Sequence, residues 1–394
     1  MMWRNIASTF LTLLVVVLIG VAIVAAWGRN QYTGPGPSAV AQCVTVARGA
    51  SLNALSQQMA EQGVISNAYV LRTGADYEGK ADQLKFGSYM VPPNASMQQV
   101  IEAVTAGGPS TCGVEVVFRV GVRGNRVVMR DINPESGRYE DRLTYDPAAD
   151  AVPVEVAQAV ERPGARLRVA VAEGVTSWQV VEALKAADFM AGETGEVPPE
   201  GSLAPDTYEV ERGADREALI AQMRASQAAI LEAAWEARPF GLPYETPEEA
   251  LIMASIVEKE TGVPEERRMV ASVFVNRLED GMRLQTDPTV IYGVTEGRAV
   301  LDRGIRRSEL VERTPYNTYV IDGLPPTPIA NPGRAAIDAA LNPDATEYLY
   351  FVADGTGGHA FARTLEEHNA NVARWRRIEA ERGQATDTPV QTDG

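Results

Sequence analysis

Residues 6–27, IASTFLTLLVVVLIGVAIVAAW, contain no charged side chain, and no other stretch limits the possible folds of this chain as strongly. Roughly 20 apolar residues suffice to cross a bilayer as a helix. The apolar core of a cleaved signal peptide, the competing reading, usually runs to only about 7–15. The length therefore predicts a retained single-pass anchor over residues 1–28, with Trp3 and Trp27 at the interfaces. Arg4 before the segment and Arg29 after it nearly balance, so the positive-inside rule gives almost no orientation. Residues 29–42, with YTGPGPS at their centre, read as a Gly/Pro linker that lets the rest stand off the membrane.

Beyond the linker the chain is soluble and acidic. A formal net charge of −16 argues against nucleic acid or an anionic lipid surface as the main partner. Cys43 and Cys112, the only cysteines, bracket a block over residues 43–112. They are reduced thiols in a cytosolic setting, or a disulfide outside one. Between them the pattern predicts a strand at 44–46, helices at 51–62 and 68–72, a strand at 86–91 and a helix at 96–105. That order resembles a LysM-like module, a small fold that binds N-acetylated glycans. Residues 113–167 begin with two half-buried strand patterns, VEVVFRVGV and NRVVMRDI, and then turn polar; they read as an insertion without an assigned role. From 168 to 380 strands and helices alternate, including a long amphipathic helix at 215–238, and the polar tail 381–394 reads as disordered. The fold class expected is α+β: a transmembrane helix, a LysM-like module and a larger mixed α+β domain.

One helix in the larger domain is set up for chemistry. Thr246 is its expected N-cap, Pro247 its first residue, Glu249 the partner in a Thr-x-x-Glu capping box and Gly262 its stop. Residues three, four and seven positions back share a helical face. Glu260 thus looks back on Val257, Ile256 and Met253, whereas Glu258 looks back on Ser255, Ala254 and Leu251. A carboxyl against branched aliphatic groups loses hydration in its charged form and stays protonated nearer neutrality, as a general acid must. Glu260 is therefore the expected catalytic acid, with Glu258 as a possible second acid.

Two later segments are candidates for binding. MRLQTDPTVIYG, read as a loop, carries Gln285, Asp287, Thr289 and Tyr292; TPYNTYVIDGLPPTPIANPG carries Tyr316, Asn317, Tyr319 and Asn331. Such amides, hydroxyls and tyrosine faces suit a groove that grips a neutral polar polymer. A Pro-rich connector is the equally open alternative. His359, in GGHAF, is expected as a groove wall or a structural hydrogen-bonding group. No metal site is expected, because His359 and His368 are the only histidines and have no helical ligand spacing. The chain also has no phosphate loop, dinucleotide fingerprint or nucleophile motif, so no cofactor is expected.

ASIVEKETGVPEERRMVASVFVNRLEDGMRLQTDPTVIYG, with TPYNTYVIDGLPPTPIANPG and YFVADGTGGHAF, is similar to the MltG (YceG-like) family of endolytic murein transglycosylases. The resemblance covers roughly residues 168–375, and more loosely 44–108. It implies a bitopic inner-membrane protein with its bulk in the periplasm, near peptidoglycan synthases. It implies cleavage of the β-1,4 bond between N-acetylmuramic acid and N-acetylglucosamine in nascent strands, leaving 1,6-anhydro ends and ending elongation. The family's catalytic glutamate falls on Glu260. The alternatives are a water-using muramidase with Asp287 as base, and a non-catalytic glycan-binding scaffold.

Overall fold

The computed structural model describes residues 2–107, 111–133, 136, 138–162 and 164–386. The chain divides into two units, one of residues 1–117 and 127–168 and the other of residues 118–126 and 169–394.

The first unit begins with α1 (Met2–Thr33), whose segment Phe10–Thr33 is apolar and long enough to cross a membrane, with its most apolar stretch unburied. The helix does not end at 28, and the following residues are not a free tether. Tyr32 is buried against α3 and shares a hydrophobic core with the module. Gly36 N–H donates to Asn94 O (3.1 Å) and Asn94 N–H donates to Ser38 O (2.6 Å), so the Gly/Pro stretch is a docked strap. A buried tyrosine ring supplies enough apolar contact to outweigh the flexibility that Gly and Pro would otherwise confer.

The module comprises β1 (Gln42–Val46), α2 (Leu52–Glu61), α3 (Ala68–Tyr77), β2 (Gly87–Val91) and α4 (Met97–Ala106). β1 and β2 pair antiparallel, with Gln42 opposite Val91 and Val46 opposite Gly87. Ser51, Asn67 and Ser96 cap the three module helices through their side-chain oxygens, and Gln99 completes a capping box with Ser96. Met59, Leu71, Val100, Ile101 and Val104 fill the interior. Cys43 and Cys112 form a disulfide with Cα atoms 5.8 Å apart.

Next come β3 (Glu115–Gly121), β4 (Gly124–Ile132), β5 (Tyr139–Tyr145), α5 (Val154–Glu161) and β6 (Arg166–Val171). The polar stretch after 132 thus contains a strand and a helix that its composition hides. β4 and β5 pair antiparallel with Val127 opposite Tyr145, and a register shift falls at Met129/Arg130. Glu115 is 1% exposed, yet Arg168 (3.1 Å), Arg130 (3.4 Å) and Arg166 (3.7 Å) surround its carboxylate. Paired in this way, a charge can be buried.

The second unit continues with α6 (Ser177–Lys185), β7 (Met190–Ala191), β8 (Thr207–Val210), β9 (Ala214–Asp215), α7 (Arg216–Ala237) and α8 (Pro247–Glu260). In this unit the strand order runs β3-β6-β8. After a 3-10 turn (Pro264–Glu266) follow α9 (Arg267–Glu279), α10 (Asp287–Thr295), α11 (Arg307–Val311) and α12 (Arg334–Leu341). The hairpin β10 (Tyr350–Ala353) and β11 (His359–Ala362) leads into α13 (Leu365–Thr386). α13 runs past residue 381, where the tail was expected to begin, and residues 387–394 lie outside the described residues. α8 is the centre of this unit's core: Met253, Ile256 and Val257 pack with Val270, Phe274, Leu284, Ile337 and Leu341.

The ends of α8 differ from expectation in two details. Thr246 Oγ1 accepts from Glu249 N–H (3.2 Å), but Glu249 Oε2 accepts from Glu245 N–H (2.6 Å), one residue before the cap. The stop is Thr261, whose extended backbone (φ −137°) breaks the helix and whose Oγ1 accepts from Val263 N–H (3.0 Å). Gly262 has no left-handed conformation. MRLQTDPTVIYG is likewise not a plain loop, because Asp287 and Pro288 open α10.

Candidate active site

The last three residues of α8 fan out from one helix end, each half-buried and each in a different environment. Successive residues project about 100° apart around the axis. Glu260 and Glu258 therefore face nearly opposite ways, and Lys259 points between them.

Glu260 meets the residues that precede and open α10. The Thr286 hydroxyl donates to Glu260 Oε1. Thr286 is 2% exposed, and its N–H is fixed by Thr318 Oγ1 (3.0 Å). Asp287 adds negative charge beside Glu260, while His359 and Arg277 add compensating positive potential. Loss of hydration dominates and raises the Glu260 carboxyl above the usual glutamate range; the Thr286 bond pulls the other way. Asp287 itself is exposed and accepts from the Tyr319 hydroxyl (2.7 Å). Arg277 is locked in place by Leu349 O and Leu284 O, both at 2.6 Å.

Glu258 lies on the other side, where its Oε2 accepts from Gly333 N–H (3.0 Å). Burial and the neighbouring Glu173 raise its carboxyl as well, against the pull of the Gly333 N–H. Glu173 lies so close to Gly333 that a Cβ there would come within 1.8 Å of its Oε1, so a larger residue at 333 would have to push the exposed Glu173 side chain aside. The face argument therefore does not separate the two acids. Ser255 and Ala254 under Glu258 are as buried as Met253, Ile256 and Val257 under Glu260, and only Leu251 is slightly exposed.

Lys259 donates to Gly174 O (3.2 Å), and burial lowers its ammonium below the usual lysine range even though Glu258 and Glu200 are near. Glu200, raised chiefly by burial, accepts from Ser177 N–H (2.8 Å) and the Tyr292 hydroxyl (3.2 Å). Tyr292 and Tyr316 rings are 4.9 Å apart, and the Tyr316 hydroxyl shares a hydrogen bond with Thr327 Oγ1 (2.8 Å).

The expected binding residues separate into distinct settings. Asp287 and Tyr319 adjoin Glu260, Gln285, exposed with φ +48°, directly precedes Thr286 in the chain, and Tyr292 and Tyr316 lie beside Glu200. Three residues require correction as sugar contacts. Thr289, Asn317 and Asn331 are at most 1% exposed, and their polar atoms are spent on the framework. Thr289 Oγ1 donates to Thr286 O (2.8 Å). Asn317 Nδ2 donates to Glu312 O (2.7 Å) and Glu309 O (3.0 Å). Asn331 accepts from Leu203 N–H (2.9 Å) and donates to Val175 O (2.9 Å). His359 joins Glu266 twice, by N–H to Oε1 (3.0 Å) and Nδ1 to Oε2 (2.7 Å), and so pins the β10–β11 turn to the start of α9.

Sequence reasoning passed over Thr286, Glu200, Glu173 and Arg277. Thr286 was findable, since Thr-Asp-Pro is itself a helix-start signal. Glu200 and Glu173 lie in Gly/Pro-punctuated turns, where periodicity carries no information. Among the described residues no cluster of His, Cys, Asp and Glu could hold a metal ion.

The first unit has a separate groove of about 590 Å³ in the module, lined by Arg48, Asn53, Arg72, Asp76, Asp82 and Phe86.

The YceG-like family profile matches residues 44–374. An endolytic murein transglycosylase of Bacillus subtilis (strain 168) is 47% identical over 119 residues, 30% of this chain and 32% of that protein. Another, from Streptococcus pneumoniae serotype 2 (strain D39), is 26% identical over 340 residues, 84% of this chain and 57% of that protein. The chain thus spans less than two thirds of the length of either relative. A crystal structure of a yceG-like protein from Listeria monocytogenes has 25% identity and a TM-score of 0.45, covering 84% of this chain and 98% of that one.

Proposed function

The chain belongs to the YceG-like family, and from that premise we propose that it is an endolytic murein lytic transglycosylase with Glu260 as its general acid-base. The observation that supports this most is a desolvated carboxyl at the end of α8, held by Thr286 and bordered by Asp287 and Tyr319. Protonated Glu260 gives its proton to the glycosidic oxygen as the bond from muramic acid C1 to that oxygen breaks. The muramic acid C6 hydroxyl then bonds to C1, its proton returns to the Glu260 carboxylate, and a 1,6-anhydro end results without water. An ordinary glycosidase needs a second carboxylate; here the substrate supplies the nucleophile. Gln285, Tyr319 and Asp287 position the sugars.

The proposal includes a bilayer anchor through α1, the periplasmic face where murein lies, a LysM-like glycan-binding role for the 42–106 module, and synthases as neighbours whose strands are terminated. A water-using muramidase is the second reading, favoured by Asp287, exposed and close enough to Glu260 to act on its charge. Incubating the full chain in detergent with uncrosslinked glycan strands and weighing the products decides the matter. Anhydro ends that vanish with Glu260→Gln support the proposal. Hydrated reducing ends favour the muramidase, and strand binding without new ends favours a scaffold.

A further inference from the structure

A groove of about 830 Å³ runs along the second unit between α7, α8 and the 326–328 segment. Its walls are Ala225 and Leu231 of α7, Ile252 of α8, Tyr316 and Pro328. Two charged groups stand in it. Arg224 of α7 and Glu248 of α8 are exposed, and neither has a side-chain partner among the described residues. The floor residue Gln227, 2% exposed, donates to Pro332 O (3.0 Å) and Gly201 O (3.1 Å) and leaves Oε1 without a donor. Ile252 is separated from Glu260 by about 12 Å of helix at 1.5 Å per residue. Glu200 joins the two regions, because it lines the groove and also lies near Lys259.

We propose that this groove binds the peptide stem carried by each muramic acid. The inference rests on the function proposed above and names the part of the substrate that the groove takes. A sugar chain needs a dense array of hydrogen-bonding groups, whereas the exposed surface of this groove is mainly apolar, with its polar groups set apart along it. A stem peptide presents the complementary chemistry. Its alanine methyls fit the small apolar walls, its terminal carboxylate meets the exposed Arg224, and its diamino-acid ammonium meets the exposed Glu248. The reach from the acid matches a stem hanging from a sugar close to the scissile bond.

The test uses full-length Glu260→Gln protein in detergent with N-acetylated L-Ala-γ-D-Glu-L-Lys-D-Ala-D-Ala as the probe, followed by calorimetry or anisotropy. The peptide is expected to bind. Ala225→Trp, which fills the groove from an exposed helix face, and Arg224→Glu each weaken binding about tenfold or more, since a charge-assisted hydrogen bond contributes about 1.5–3 kcal/mol. Amidating the peptide's carboxyl weakens it similarly. Circular dichroism confirms that both variants fold, and Arg224→Glu, at a solvent-exposed position, serves if Ala225→Trp does not. No binding, or binding indifferent to both substitutions, overturns the proposal, as does competition by stem-free glycan for the peptide's place. In a parallel arm, wild-type protein that releases anhydro ends from stem-free strands keeps the enzymatic reading even if the groove assignment falls. Protein that releases no ends from any strand retires the enzymatic reading, and the peptide titration still judges the groove.

Discussion

The Thr286 hydroxyl donates to Glu260 Oε1, and Thr286 is itself held by Thr318, so the candidate acid is aimed from the start of α10 rather than from its own helix. This bond favours the ionised carboxylate and opposes the desolvation that favours the acid. Thr286→Val should therefore raise the Glu260 pKa further and move the alkaline limb of the kcat/KM profile to higher pH. Glu260→Gln should cost about 10²–10⁴ in rate, the range for positioned acid-base catalysis. Glu258→Gln should cost far less. A profile unmoved by Thr286→Val, or a larger loss with Glu258→Gln, would reassign the proton donor.

The same desolvation makes a statement about stability. Folding raises the Glu260 carboxyl above its unfolded value, so the stability linked to it is fully present below the unfolded pKa of about 4.5. It is lost as pH rises through the folded pKa. Glu260→Gln removes that loss, and at pH 7 the variant should melt higher than wild type, by about 2–4 °C for each kcal/mol relieved. Glu258→Gln should act in the same direction, offset by the weaker bond its amide makes with Gly333. Calorimetry at pH 4 and pH 7 checks this; an advantage that is larger at pH 4 would contradict the sign.

Asn331 looked like a sugar contact and is a brace. Its amide joins Leu203 N–H, Val175 O and Ser177. Asn331→Ala should lower the stability of the second unit by about 2–4 kcal/mol, because buried partners are left unsatisfied at about 1–3 kcal/mol each. The folded fraction should retain its KM for glycan strands. Urea unfolding followed by kinetics distinguishes this from a binding role, in which KM would rise with stability intact.

Gly74 sits inside α3, where alanine would ordinarily stabilise a helix by about 1 kcal/mol. A Cβ at this position would come within 2.3 Å of the Tyr32 ring. Gly74→Ala should therefore destabilise the first unit, and Tyr32→Ala in the same chain should recover part of the loss. Chemical denaturation of the four proteins in this cycle measures the coupling, which a free linker would leave at zero.

Regular elements were legible where caps and periodicity agree. Thr246-Pro247 opens α8, Thr176 with Gln179 caps α6, and the module's strands and helices fall close to their expected places. The desolvation of the acids at the end of α8 was legible because an apolar run leads into them, but that run does not tell Glu260 from Glu258. β5 and α5 escaped because their residues are polar and the pairing of β4 with β5 supplies what composition does not. α10 escaped because tyrosine and threonine suggest loop or strand, while an Asp-Pro start and burial of Thr289 and Val290 decide for helix. Whether an asparagine grips a sugar or its own backbone depends on burial, which spacing does not encode.

Wedging Tyr32 between the end of α1 and Gly74 turns a potential swivel into a rigid elbow. With α1 set in a bilayer, any lean of that rod is handed directly to the β1–α2–α3–β2 body, and the strap at Gly36 and Ser38 resists compensation. Helix tilt would then govern the attitude of the module's groove toward the lipid, and loss of the Tyr32 ring, rather than a longer GPGPS stretch, would free it.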